Sequence, residues 1–123
     1  MSNPIMTVSD FAVFCRIGCT LDERAVAQKI LFSIKIKFKG FPAACETDRL
    51  EDAICYADLC SEIEKVAHKN IFQTIERLSF EVFLSLSHFL SPNKVELQLK
   101  IKKTQPPIKN LLDGVSFELG GFT

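Results

Sequence analysis

The chain has 123 residues, 47% of them hydrophobic, with fifteen basic and fifteen acidic side chains and a formal net charge of zero. This composition suits one folded domain, residues 1–123, with a modest core, and is that of a globular chain and not of a disordered one. The balanced charge gives no overall pull towards nucleic acid or an anionic membrane, and no apolar run approaches the roughly 18–20 residues of a membrane span.

Along the chain, MSNPIMTVSDF lacks the charged start and apolar run of a secretion signal. Thr7 to Ile17 reads as a strand whose alternation is imperfect, with Gly18 breaking it. Cys19 to Ala27 reads as a turn or short helical loop, in which Asp22 or Glu23 either caps the turn or is simply solvated. Gln28 to Lys39 is the clearest strand. Ile30, Phe32, Ile34, Ile36 and Phe38 share one face, and Lys29, Ser33, Lys35, Lys37 and Lys39 the other. No aromatic residues sit among those lysines to stack bases, so they read as a solvated face that resists edge pairing.

Gly40 to Asp52 is a long connection, and Ala53 to Tyr56 a short extended piece. Asp58 to Lys69 carries Leu59, Ile63, Val66 and Ala67 at helical spacing, with Asn70 as the stop. Thr74 to Leu90 is a second helix with Thr74 as N-cap and Glu76 in the first turn, closed by Ser91, Pro92 and Asn93.

In the next strand Val95, Leu97, Leu99 and Ile101 alternate with polar residues. The next inward position holds Lys103, before Pro106 and Pro107 end the ladder. Burial there would disfavour the ammonium, lower its pKa and suit it to acid–base work; alternatively, Lys103 curls out to solvent at a frayed end. After Asp113 and Gly114, a last strand alternates Val115, Phe117 and Leu119, with Gly120 and Gly121 ending it.

The five cysteines are odd in number and form no CxxC pair, which points to reduced thiols and a cytoplasmic location. His68 and His88 are too few and too separate for a histidine-held zinc, so no metal site is expected. The element order ββααββ predicts an α+β fold: a four-stranded antiparallel sheet with two helices on one face. Its two long edges need cover, which closure with sibling chains into a β-barrel would provide.

Four stretches, in order, resemble one family: IGCTLDERAVAQKILFSI (Ile17 to Ile34), DRLEDAICYADL (Asp48 to Leu59), FQTIERLSFEV (Phe72 to Val82), and KKTQPPI followed by DGVSFEL. Together they resemble dihydroneopterin aldolase, of the tunnelling fold, in folate biosynthesis. The resemblance implies homo-oligomeric rings, tetramers or octamers, with active sites between subunits and no metal, cofactor or Schiff base. It implies that Glu76 anchors a pterin by a bidentate bond, with the Ile75 N–H and the Ile54 backbone as further contacts. Tyr56 would stack on the ring and donate a proton, Glu23 would hold the substrate's hydroxyls, and Lys103 would transfer protons through a water. Tyr56 and Glu76 would then face Lys103 from a neighbouring chain.

The implied reaction is retro-aldol cleavage of 7,8-dihydroneopterin. Where the family often has Gly, Asn-Leu and Ile-Pro-Gly, this chain has Ala27, Gln73-Thr74 and Ile108-Lys109-Asn110, which bear on loop shape and substrate preference. Two other readings are a dihydroneopterin triphosphate epimerase, favoured by basic residues such as Lys102, Lys109 and Arg24 near the side-chain end, and a pterin-binding ring protein without catalysis. Taken singly, Glu76 could also be only a first-turn acid, Tyr56 a core-edge residue and Glu23 a solvated charge.

Overall fold

In the computed structural model, which describes residues 3–123, the period-two runs become the middle of a four-stranded antiparallel sheet. The chain order is β1 (Ile5–Cys15), α1 (Leu21–Arg24), β2 (Gln28–Lys37), α2 (Ala44–Thr47), α3 (Tyr56–Lys69), α4 (Ile75–Leu90), β3 (Glu96–Lys103) and β4 (Val115–Phe122). The sheet order is β1-β2-β3-β4, so sequence neighbours pair and β1 and β4 are the edges.

Ile30, Phe32, Ile34 and Ile36 of β2, with Leu97, Leu99 and Ile101 of β3, point to one face and are fully or almost fully buried. Leu59, Ile63 and Ala67 of α3 and Leu78, Val82, Leu86 and Leu90 of α4 complete the same core, so both long helices cover that face. Lys35, Lys37 and Lys100 stay exposed on the other.

The imperfect alternation of the first strand has a local cause. A β-bulge falls between Val8 and Phe11, where Asp10 takes a φ of 54° and its N–H donates to Ser33 Oγ at 3.0 Å. One extra residue inverts the phase of the pleat, so Val8 and Val13 can both face inward. The strand is also shorter at its far end than expected. It stops at Cys15, and Ile17 instead forms an isolated parallel bridge to Phe72.

Three other boundaries differ from the sequence expectation. Tyr56 is the first residue of α3 and not the end of an extended piece. The connection after β2 folds into α2 and a 3-10 turn at Leu50–Asp52, where Asp52 Oδ2 accepts from Thr47 Oγ1 at 2.7 Å and Arg49 Nε at 3.0 Å. Gly120 and Gly121 lie inside β4, paired with Gln98 and Leu97. A Cβ on Gly121 would come within 3.2 Å of the Phe83 ring, so the glycine gives α4 room to pack and does not end the strand.

Leu86 is fully buried and Leu84, two residues away on α4, is 50% exposed. Leu86→Ala is expected to lower unfolding free energy by about 2–5 kcal/mol. Leu84→Ala should change it by only about 0.5 kcal/mol or less. Urea unfolding of the two variants measures the contrast.

Candidate active site

Lys103 is the last residue of β3, paired with Ile30 on one side and Val115 on the other. The entry of β4 is tight here. Gly114 has a φ of 75°, and a Cβ on it would stand 2.1 Å from the Lys103 carbonyl oxygen. The ladder therefore holds Lys103 to its final rung. Its side chain is only 11% exposed, and Nζ donates to Glu23 Oε2 at 2.7 Å. The inward lysine expected from the alternation is what the sheet delivers. Burial does not strand the ammonium, because a carboxylate meets it.

Glu23 is brought there by a short loop. Thr20 caps α1, its Oγ1 accepting the Glu23 N–H at 3.1 Å. The Glu23 side chain folds back over Gly18, where an added Cβ would lie 2.2 Å from Glu23 Cβ. Oε1 accepts the Cys19 N–H at 3.1 Å, so both carboxylate oxygens are engaged. The Lys103 hydrogen bond holds the Glu23 carboxyl below the usual glutamate range, against an opposing push from burial and with help from the Cys19 N–H. The cap is therefore Thr20 and neither Asp22 nor Glu23, and the Thr-x-x-Glu spacing from Thr20 to Glu23, a helix-start signature, is the sequence signal that could have located it. The roles of Gly18 and Gly114 as clearances carry no sequence signal of their own.

Glu76 reaches the same end of the molecule through the bridge between Ile17 and Phe72. The Gly18 N–H donates to the Phe72 carbonyl at 3.1 Å, and the Phe72 N–H to the Arg16 carbonyl at 3.0 Å. This stitches the start of α4 beside the loop that carries Glu23, so Glu76 needs no neighbouring chain to arrive at the Lys103 end. Thr74 Oγ1 accepts the Arg77 N–H at 3.1 Å, which leaves Ile75 as the first helical residue, with an N–H that has no intrahelical acceptor. Glu76 is exposed and has no protein hydrogen-bond partner among the described residues. A free carboxylate beside a free N–H suits a planar ligand with paired donors and a neighbouring acceptor.

Tyr56 and Ile54 are not brought to this place within one chain. His68 Nε2, near the C-terminal end of α3, lies 2.9 Å from the Phe14 carbonyl oxygen, which fixes that end of the helix near Lys103. Tyr56 begins the helix, about 20 Å away along its axis. Tyr56 is 65% exposed, whereas Ile54 is largely buried. A hollow of about 540 Å³ lined by Phe14, Cys15, Ala67, His68 and Ile71, among others, adjoins the Lys103 end but is lined by none of Glu23, Glu76 and Lys103.

Solved structures share this fold of four antiparallel strands and covering helices. A crystal structure from Vibrio cholerae superposes with a TM-score of 0.83 at 20% identity, covering 100% of both chains. Escherichia coli dihydroneopterin aldolase, solved in complex with neopterin, superposes with a TM-score of 0.78 at 24% identity, covering 95% of this chain and 99% of that one. In sequence, a "probable dihydroneopterin aldolase" of Chlamydia trachomatis is 38% identical over 114 residues, which is 93% of this chain and 92% of the relative. The family model for dihydroneopterin aldolase (FolB) matches residues 6–120. The chain belongs to the dihydroneopterin aldolase family, a family of lyases.

The ion pair has a consequence for acid stability. Glu23 has a depressed pKa in the folded chain, so its contribution is present above its unfolded pKa and is lost as pH falls through the folded value. Lys103→Met keeps most of the side-chain volume and removes the partner, which should raise the Glu23 pKa. Unfolding measured from pH 7 to pH 3 should show the parent chain losing more stability on acidification than the variant.

Proposed function

We propose that the chain cleaves 7,8-dihydroneopterin in the cytoplasm to 6-hydroxymethyl-7,8-dihydropterin and glycolaldehyde, as a step of folate biosynthesis, at a site completed by a second copy of itself. The observation that carries this reading is the Lys103–Glu23 pair at the end of β3, in a chain whose family match spans residues 6–120.

Glu76 accepts two hydrogen bonds from the pterin's amine and ring N–H, and the Ile75 N–H meets a ring acceptor. The dihydroneopterin side chain then points towards Lys103 and Glu23. Lys103 first gives one ammonium proton to solvent; in that neutral form it takes, through a bound water, the proton of the side-chain hydroxyl, and Glu23 stabilises the ammonium so restored while holding the hydroxyls in place. The carbon–carbon bond breaks and its electrons pass into the ring imine of the pterin. The substrate supplies its own electron sink, so neither a Schiff base on lysine nor a metal is needed. Tyr56 stacks on the ring and protonates the enamine-like intermediate.

Because Tyr56 lies at the far end of its own helix, it and the Ile54 backbone are supplied by a neighbouring chain. The exposed edges β1 and β4 are the surfaces through which such copies join, in a tetrameric or octameric ring that closes a barrel.

The side-chain end favours a substrate without phosphates. Of the three basic residues that would suit a triphosphate, Lys102 Nζ is bonded to Asp113 Oδ1 at 2.8 Å and Arg24 Nη1 to the Gly18 carbonyl at 2.8 Å. The Lys102 charge is met by a carboxylate, and one face of the Arg24 guanidinium is turned to the backbone of its own loop.

The test is incubation with 7,8-dihydroneopterin, and separately with its triphosphate, with detection of glycolaldehyde. Lys103→Ala should lower turnover by roughly 10²–10⁴-fold and leave pterin affinity nearly unchanged. Glu76→Ala should weaken pterin binding by about 10- to 100-fold first, through the loss of charge-assisted hydrogen bonds. No glycolaldehyde from either compound, with the oligomer intact, would sink the assignment.

A further inference from the structure

We propose that Arg24 is a positioning residue: its guanidinium closes the α1 loop onto Gly18 and so holds Glu23 against Lys103. The proposal deepens the functional reading above and rests on it for its kinetic consequence, but not for its structural one.

Arg24 directly follows Glu23, and its partly buried Nη1 donates to the Gly18 carbonyl at 2.8 Å, six residues back. A second arginine braces the first. Arg16 Nε donates to the Arg24 carbonyl at 2.7 Å. Gly18 is therefore held on both sides. Its N–H is bonded to Phe72 in the segment before α4, and its carbonyl to the Arg24 guanidinium. Gln28 Nε2 donates to the neighbouring Ile17 carbonyl and closes the other end of the loop.

This clasp matters because α1 is a single turn of four residues. One helical turn does not persist alone in water, since nucleation costs more than its few hydrogen bonds return. Apart from its Lys103 partner, Glu23 has that turn, the Thr20 cap, the Cys19 N–H and the floor formed by Gly18 to set its carboxylate. The fit over Gly18 leaves no space for even a Cβ, so a small opening of the loop moves Glu23 off both Lys103 and the Cys19 N–H. A guanidinium reaches back across the turn and fixes the carbonyl of the residue on which Glu23 rests. Arg24 does not touch the reacting atoms in this arrangement; it acts through Glu23. Its side chain was a candidate phosphate contact by sequence alone, and the bond to Gly18 gives it a different task.

The charged groups around Glu23 are Lys103 on β3, Arg24 and Asp22 on its own turn, and Arg16 beyond β1. The test uses the full chain with Arg24→Ala and Arg24→Lys. The first readout needs no substrate: the titration midpoint of the Glu23 carboxyl, followed by carbon-13 NMR. It should move up towards the usual glutamate range in Arg24→Ala. It should return most of the way in Arg24→Lys, whose ammonium keeps the charge and can still donate to the Gly18 carbonyl.

The second readout is glycolaldehyde release. Arg24→Ala should lower kcat by roughly 10- to 100-fold through misplacement of the acid–base pair. KM should stay within about twofold, because Glu76 and Ile75 carry the binding. The acid limb of the kcat/KM profile should move up with Glu23. A fall in melting temperature with the Glu23 midpoint, kcat and pH profile unmoved would overturn the proposal, since a merely structural role predicts that pattern. If the parent chain releases no glycolaldehyde but the Glu23 midpoint still moves in Arg24→Ala, the positioning role stands and the aldolase reading falls. Should Arg24→Ala fail to fold, Arg24→Met, which keeps the stem and loses the donor, decides: a raised Glu23 midpoint with a lowered kcat supports the clasp, and parent values of both overturn it.

Discussion

The ion pair between Lys103 and Glu23 joins side chains 80 positions apart, and most of the local architecture serves it. The sheet must carry an inward-facing position to its last rung, and that position must hold a cation. The loop after β1 must turn a carboxylate onto it. Two glycines make this possible by what they lack. At Gly18 a Cβ would collide with Glu23, and at Gly114 one would collide with the Lys103 backbone. With only 11% and 14% of the two side chains exposed, water screens the pair poorly, so its geometry is costly to lose. A hydrophobic sheet end with a lone lysine would tend to neutralise or expel it. Meeting it with a clasped carboxylate keeps both charges in place and keeps a proton within reach of a ligand.

A second constraint is the length of α3. An antiparallel helix pair puts the end of α3 and the start of α4 together, and the bridge from Ile17 to Phe72 pins that junction to the sheet beside Lys103. The same geometry sends the start of α3 to the opposite end. Glu76 and Tyr56 are therefore separated by the architecture that brings Glu76 to the lysine. The proposed site therefore calls for two chains, and the unpaired edges of β1 and β4 are the surfaces proposed to join them.

The parts of this arrangement that follow a short period were legible in the sequence. The alternation of β2, interrupted only by Leu31, and that of β3 located the buried face and showed Lys103 to be the inward misfit. The cap at Thr74 is local chemistry and was legible too. What depended on a single displaced residue or on a distant contact was not. The bulge at Asp10 inverted the phase of β1 without any glycine or proline to announce it. Gly121 read as a stop, because the Phe83 ring it makes room for lies 38 positions earlier. The end of the molecule to which Glu76 belongs is set by one parallel bridge across 55 residues of chain, which no pattern along the sequence records. The roles proposed for Glu76 and Tyr56 rest on family resemblance, since a first-turn acid and an exposed tyrosine are common without any chemistry attached.

The central claim is that one chain supplies Lys103, Glu23 and Glu76 while its neighbour supplies Tyr56. The most direct measurement is activity after subunit exchange between chains that are each impaired alone, at a substrate concentration too low to saturate Glu76→Ala. Mixing Lys103→Ala with Tyr56→Phe chains should regenerate intact sites, up to about a quarter of those in a randomly mixed ring. Mixing Lys103→Ala with Glu76→Ala chains should regenerate none, because every half-site then lacks one of the two groups. No recovery in the first mixture, or recovery in the second, would contradict this division of the site.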